Sequence, residues 1–181
     1  MVGTNFFLHY HSTMLQLRPA TIDDLPTVRY WDTKPHVIAS DPAEDNWDWS
    51  VELARTPPWR EQLIATLDDR PLAFVQIIDP HREETGYWGQ MGPNKRAVDI
   101  WIGEESDLGK GYGTIVMSRV IERIFSHPTV TGILVDPLKS NTRACRFYRK
   151  LGFQFVEDRD FDGDRCSVFE LPRPSPTPRN S

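Results

Sequence analysis

The chain has 181 residues, of which 39% are hydrophobic and 26% charged, with a formal net charge of −5 at pH 7. That is the length of one domain with tails and the composition of a folded chain rather than a disordered one. It contains no run of about 18 apolar residues to cross a membrane and no charged-then-apolar leader. Its two cysteines, Cys145 and Cys166, are too few for a disulfide framework and read as thiols of a reducing, cytoplasmic compartment.

Residues 1–13 show no clear period and read as a loosely held extension. His9 and His11 flank Tyr10 there, but no Cys/His cluster has zinc spacing, and no metal is expected. The domain proper is expected over 14–171. Its first strand is Leu15 to Pro19. Thr21 then suits a helix N-cap, with Asp24 three residues on and Leu25, Val28 and Trp31 along the apolar face. A polar, proline-broken loop is expected over 33–45. A second helix, capped by Asn46 or Asp48 and reaching Arg55, would carry Trp47, Val51 and Leu53 or Ala54, and Pro57-Pro58 would end it.

Strands Glu61 to Leu67 and Pro71 to Asp79 flank a hairpin turn, Asp68-Asp69-Arg70. The second is nearly all apolar, which predicts a central strand. Pro80 to Arg96 is a long loop holding Glu83, Glu84, Tyr87 and Trp88, and loops of that length are commonly functional. A strand follows at Ala97 to Ile102, then the turn DLGKGYG over Asp107 to Gly113, then a helix from Tyr112 to Ser126. A strand at Gly132 to Asp136, a helix at Asn141 to Leu151 and a hairpin of Phe153 to Glu157 with Cys166 to Leu171 complete the domain. Residues 172–181 are a proline-rich tail. Strand–helix alternation interrupted by hairpins predicts a mixed sheet of α/β or α+β type.

The glycine turn is the chemical centre of this pattern. Glycines let backbone approach a ligand closely, and the first N–H groups of a helix have no internal partner, so the turn resembles a phosphate site. Two familiar phosphate loops are excluded. Lys110 is followed by Gly111 rather than Ser or Thr, and Gly109, Gly111 and Gly113 lack dinucleotide-fold spacing. On the turn alone, an αβ connection that binds nothing fits equally well. Charge is unevenly spread: Asp107 to Lys150 carries eight bases and three acids, a net +5 against −10 for the remainder. A basic half suits an anionic cosubstrate; an acidic remainder suits a cationic partner and argues against nucleic acid.

Two acids stand in apolar strands, Asp99 and Asp136, where a carboxylate is costly without a partner. Asp136 ends its strand before Pro137 and also reads as a turn residue; Asp99 does not.

After Asp136 the chain reads SNTRACRFYRKLGF, Ser140 to Phe153. Together with DLGKGYG and the strand before it, this resembles the GNAT superfamily of acetyl-CoA-dependent N-acetyltransferases, and within it the aminoglycoside 6′-N-acetyltransferases. The resemblance implies a mostly antiparallel central sheet with helices on both faces, splayed between strands 4 and 5. It implies that backbone N–H groups of Leu108, Gly109, Lys110, Gly111, Tyr112, Gly113 and Thr114 hold the pyrophosphate of coenzyme A. Relatives often carry Arg or Gln where Leu108 stands, a tolerable departure for a backbone contact. Trp101 and Ile102 would offer backbone groups to pantetheine, Asn141 would bond the same arm, and Arg143 is placed with the cofactor residues. Tyr148 would stand near the sulfur as acid to the departing thiolate.

Asp99 would accept the amine's proton or anchor it, with Asp136 the second acid. Glu84 and Trp88 would sit on the substrate loop, where a solvated loop is the alternative. The expected reaction moves acetyl from acetyl-CoA to an amine of a cationic small molecule, an aminoglycoside being the named candidate. The alternatives are a polyamine, an amino acid, a protein N-terminus or lysine as acceptor, or a non-catalytic acyl-CoA sensor. A monomer or homodimer without membrane or nucleic-acid partners is expected.

Overall fold

The computed structural model describes residues 14–40 and 47–175. The expected extension at 1–13, the end of the 33–45 loop and the last residues of the tail lie outside them. Seven strands form one sheet: β1 (Leu15–Pro19), β2 (Arg60–Leu67), β3 (Arg70–Ile78), β4 (Lys95–Ile102), β5 (Gly132–Val135), β6 (Gln154–Phe161) and β7 (Asp164–Pro172), in spatial order β1-β2-β3-β4-β5-β7-β6. All neighbours are antiparallel except β4 and β5. The helices are α1 (Leu25–Asp32), α2 (Pro35–Ile38), α3 (Trp49–Glu52), α4 (Tyr112–Phe125) and α5 (Thr142–Lys150). Among the described residues no helix is long and apolar enough to cross a membrane.

Alternation along the strands divides the core. On one face Leu63, Ala65, Val75, Val98, Ile133 and Val135 pack with Val116, Met117 and Val120 of α4 and Cys145 and Tyr148 of α5. On the other, Ile64 and Phe74 meet Val28 and Trp31 of α1 and Trp49 of α3. A third cluster joins Trp88, Ala97, Leu134, Phe161, Cys166 and Val168. Cys145 and Cys166 are buried in different clusters.

Several expected boundaries move for local reasons. Arg70 belongs to β3, because the β2–β3 turn is the two-residue Asp68-Asp69, both at positive φ (50° and 65°), which matches the twist of paired strands. The β6–β7 hairpin is equally tight, with Asp162 and Gly163 at 46° and 101°, so its strands run to the turn rather than stopping short. The segment expected to be loop after Thr33 contains α2, opened by Pro35 at a position where a missing N–H costs nothing. The second helix is a single turn, α3, and Val51 faces outward at 48% exposure while Leu53 is buried. Asp48 caps it, accepting from the Ser50 N–H.

At the start of α1, Asp24 accepts from the Thr21 N–H (2.9 Å) and from both terminal nitrogens of Arg18 (2.8 and 2.6 Å). Burial raises the Asp24 carboxyl, but these bonds outweigh burial and hold it below the usual carboxylate range.

Candidate active site

The sheet opens where its one parallel pair ends. Eight residues make β4, yet only Lys95, Arg96 and Ala97 find register partners on β5. On its other edge β4 stays paired with β3 out to Ile102. The bond from the Gly103 N–H to the Leu72 carbonyl (2.9 Å) sets which β4 residues bond which way. By that alternation Trp101 exchanges its backbone bonds with Phe74 and Asp99 with Gln76. Ile100 and Ile102 direct theirs across the gap. This corrects the expectation for Trp101: its backbone is committed to the ladder. Its ring stacks on Phe74 (4.6 Å, 26°) on the far face. The Ile102 carbonyl accepts from His36 Nε2 (2.8 Å), so Ile100 and the Ile102 N–H are the groups a strand-like ligand arm in the gap would meet.

The glycine turn lies just beyond this end of β4. Gly109 and Gly111 take positive φ (77° and 86°), and a Cβ built on either meets no atom within 4 Å, so the turn faces open space. Leu108 N–H bonds Glu105 O (3.0 Å) and Thr114 N–H bonds Gly111 O (3.0 Å), which removes both from the expected donor set. The N–H groups of residues 109 to 113 make no bond of this kind among the described residues. Five donors at the positive end of the 14-residue α4 suit a pyrophosphate, so the residues present fit coenzyme A. The sequence missed the anchor of this turn. Asp107 is 6% exposed and accepts from Arg70 Nη1 (2.7 Å), while Lys110 Nζ pairs with it at 3.7 Å. Gly113 lies beside Phe147, which brings the first turn of α4 against α5.

Asn141 caps α5, its Oδ1 accepting from the Ala144 N–H (3.0 Å). Its amide N–H₂ is the donor it can offer a ligand arm. Arg143 is exposed in the first turn of α5. Tyr148 is 7% exposed against Phe147 and Phe153. Burial, then the charges of Asp99 and Asp136, push its phenol well above the ordinary tyrosine range. Its ring packs in the cluster formed with α4 and α5.

Asp99 shares the opposite face of the sheet with Ala97 and Trp101. Gln76, opposite it on β3 and 5% exposed, donates Nε2–H to Asp99 Oδ2 (3.2 Å), and its own Oε1 accepts from Gln62 Nε2 (3.2 Å) on β2. Asp136 follows Val135 at the end of β5 and accepts from the Tyr87 hydroxyl at 2.7 Å. Tyr87 is thus the long loop's contribution to this cluster, a role that loop sequence alone did not reveal.

The other two loop residues are placed differently. Trp88 is 4% exposed and packs on Phe161, so it supports the loop instead of offering a face to a ligand. Glu84 pairs with Arg55 (2.9 Å) and accepts from Trp59 Nε1 (3.3 Å), tying the loop to the end of α3. A further acid on this face, Asp32, accepts from Trp49 Nε1; burial raises its carboxyl and that bond only partly opposes the rise.

Residues 21–161 match the acetyltransferase (GNAT) domain family. Over 154 residues the chain is 37% identical to an aminoglycoside N(6′)-acetyltransferase type 1 of Klebsiella pneumoniae, covering 76% of this chain and 73% of the relative. A kanamycin resistance protein of Rhizobium radiobacter is 41% identical over 73 residues, 39% of this chain and 68% of its own. A lysine N-acyltransferase MbtK of Mycolicibacterium paratuberculosis is 23% identical over 172 residues, 88% and 74% of the two chains. Among solved structures, aminoglycoside acetyltransferase AAC(6′)-Ib with coenzyme A and kanamycin superposes with a TM-score of 0.77 at 26% identity. It covers 88% of this chain and 95% of that one. Its complex with ribostamycin and coenzyme A gives 0.79 at the same identity, covering 88% and 93%.

Proposed function

We propose, from the premise that the chain belongs to the GNAT acetyltransferase family and is an acetyl-CoA-dependent N-acetyltransferase, that its acceptor is an aminoglycoside, acetylated on the 6′-amine. The observation that carries this reading is that the two strands that part each bring a carboxylate, Asp99 on β4 and Asp136 just past β5, bonded by Gln76 and Tyr87 respectively, while the buried phenol of Tyr148 packs with α4 and α5. A polycationic acceptor suits two carboxylates and an acidic remainder. The relatives that cover most of the chain at the higher identity carry aminoglycoside acetyltransferase names, and this supports the same class.

Acetyl-CoA supplies an activated acetyl thioester. The open N–H groups of residues 109 to 113 would hold its pyrophosphate, and Ile100, Ile102 and the Asn141 amide would hold the arm in the gap. The attacking amine must be neutral, and an ammonium near pKa 10 needs a proton acceptor. Asp99 takes that proton, directly or through one water. Gln76 holds the carboxylate from behind, and Gln62 fixes which way the Gln76 amide points. Tyr148 keeps its proton at any working pH and can donate it to the departing sulfur. Asp136 anchors a second ammonium of the acceptor.

Thiol release from acetyl-CoA, measured across a panel of kanamycin, ribostamycin, spermidine and lysine, tests this. Turnover should be fastest with the aminoglycosides, and NMR of the product should place the acetyl group on the 6′-nitrogen. Faster turnover of lysine or spermidine would reassign the acceptor.

A further inference from the structure

We propose that Tyr87 is a positioning residue for Asp136: its hydroxyl holds that carboxylate in place beside the β4–β5 gap, and its ring is itself held by Phe161. The inference rests on the reading that Asp136 receives an ammonium of the acceptor.

Tyr87 bridges 49 positions of sequence, donating to Asp136 Oδ2 at 2.7 Å. The residue is 40% exposed, yet its ring is not loose. It stacks on Phe161 with centroids 4.5 Å apart and planes 12° apart, and meets Trp88 edge-on at 5.8 Å. Trp88 is in turn buried against Phe161, and Arg159 donates to the Trp88 carbonyl (3.1 Å). The loop is thus pinned at the residue next to the phenol. Burial and the negative charges of Asp136 and Asp99 keep the phenol un-ionised, so it remains a donor at every working pH. A carboxylate held before the amine arrives need not be ordered on binding, which lowers the cost of association. The residue therefore acts on amine affinity rather than on the chemical step.

Tyr87→Phe retains the ring on Phe161 and removes only the donor. With kanamycin as the probe, its KM should rise roughly tenfold, the size of one hydrogen bond to a charged group. The acetyl-CoA KM should stay at the wild-type value, and kcat should change less than the kanamycin KM. In an Asp136→Ala background the same substitution should add nothing further. A wild-type kanamycin KM in Tyr87→Phe, or full additivity with Asp136→Ala, overturns the proposal. The same double-mutant cycle read by urea denaturation needs no acceptor. Coupled midpoints support the hold on Asp136 and additive midpoints overturn it. A wild-type protein that acetylates no aminoglycoside while the denaturation cycle stays coupled would reject the acceptor class and leave the hold on Asp136 standing.

Discussion

Gln76 stands directly across the sheet from Asp99 and donates its amide hydrogen to the carboxylate at 3.2 Å, with Gln62 one strand further back fixing the amide's orientation. A half-buried carboxylate is thereby bonded by a neutral amide from the neighbouring strand. Asp99→Asn preserves shape and removes the charge. Acetyl transfer should fall about a hundredfold or more, the usual size of a general-base contribution. Acetyl-CoA affinity should barely change, because the phosphates and thioester do not need this carboxylate in the proposed mode of binding. Steady-state kinetics with the best acceptor, paired with calorimetry of acetyl-CoA, checks both halves. Unchanged turnover would move the base to Asp136 or a water chain.

Gln76→Leu separates orientation from charge. It keeps the Asp99 carboxyl but removes its amide donor and strands the Gln62 amide. A roughly tenfold loss of kcat/KM is expected, the worth of one hydrogen bond to a charged group. Gln62→Leu should cost less, since Gln76 remains. Equal or reversed effects in the two variants would show that the row does not act through Asp99.

Gly111→Val should weaken acetyl-CoA binding more than it destabilises the fold. The backbone there sits at φ +86°, which a β-branched residue adopts only with strain, while an added Cβ would meet no protein atom within 4 Å. Calorimetric affinity equal to wild type would show that the turn does not carry the phosphates.

Acetyl-CoA itself should protect the fold. A ligand bound only by the native state stabilises it by about 2.7 kcal/mol at a hundredfold excess over Kd. Thermal unfolding followed with and without millimolar acetyl-CoA should show an upward shift in Tm. The shift should be lost in Gly111→Val.

Tyr148 gives a pH prediction with a definite sign. Its phenol titrates above the ordinary value near 10, first through burial and then through Asp99 and Asp136. Above about pH 10 the unfolded chain releases this proton while the native state retains it, so stability should fall as pH rises. Below that pH the contribution is complete and flat. Tyr148→Phe should decline less steeply above pH 10 in urea denaturation, and at neutral pH should lose kcat by no more than about a hundredfold, the lower end of a general-acid contribution, because water can substitute as donor. Identical alkaline slopes in the two proteins would refute the buried-phenol assignment.

Much of this was legible in the chain because it depends on local chemistry. Glycines at 109 and 111 followed by an apolar helix announce a turn with open N–H groups, whatever the rest of the fold does. Asn141 opening α5 and an acid at 99 within an apolar strand are equally local signals. Strand and helix alternation, with the motif resemblance, was enough for the mixed sheet and its opening between β4 and β5.

What only the tertiary structure decided is which groups are already spent. Hydrogen-bond direction along β4 depends on register with β3, and it removes Trp101 from the gap and leaves Ile100 and Ile102 facing it. Helix capping occupies the Asn141 oxygen, and the turn's own bonds occupy the Leu108 and Thr114 N–H groups. Trp88 and Tyr87 are neighbours in a loop with no period, yet one is buried and the other holds Asp136, because Phe161, 73 and 74 positions away, offers its ring to both. Gln76 reads in sequence as a polar interruption of an apolar strand; pairing places it against Asp99. Sequence determines which chemistries are present, whereas partnership between residues far apart along the chain is set by strand register and packing.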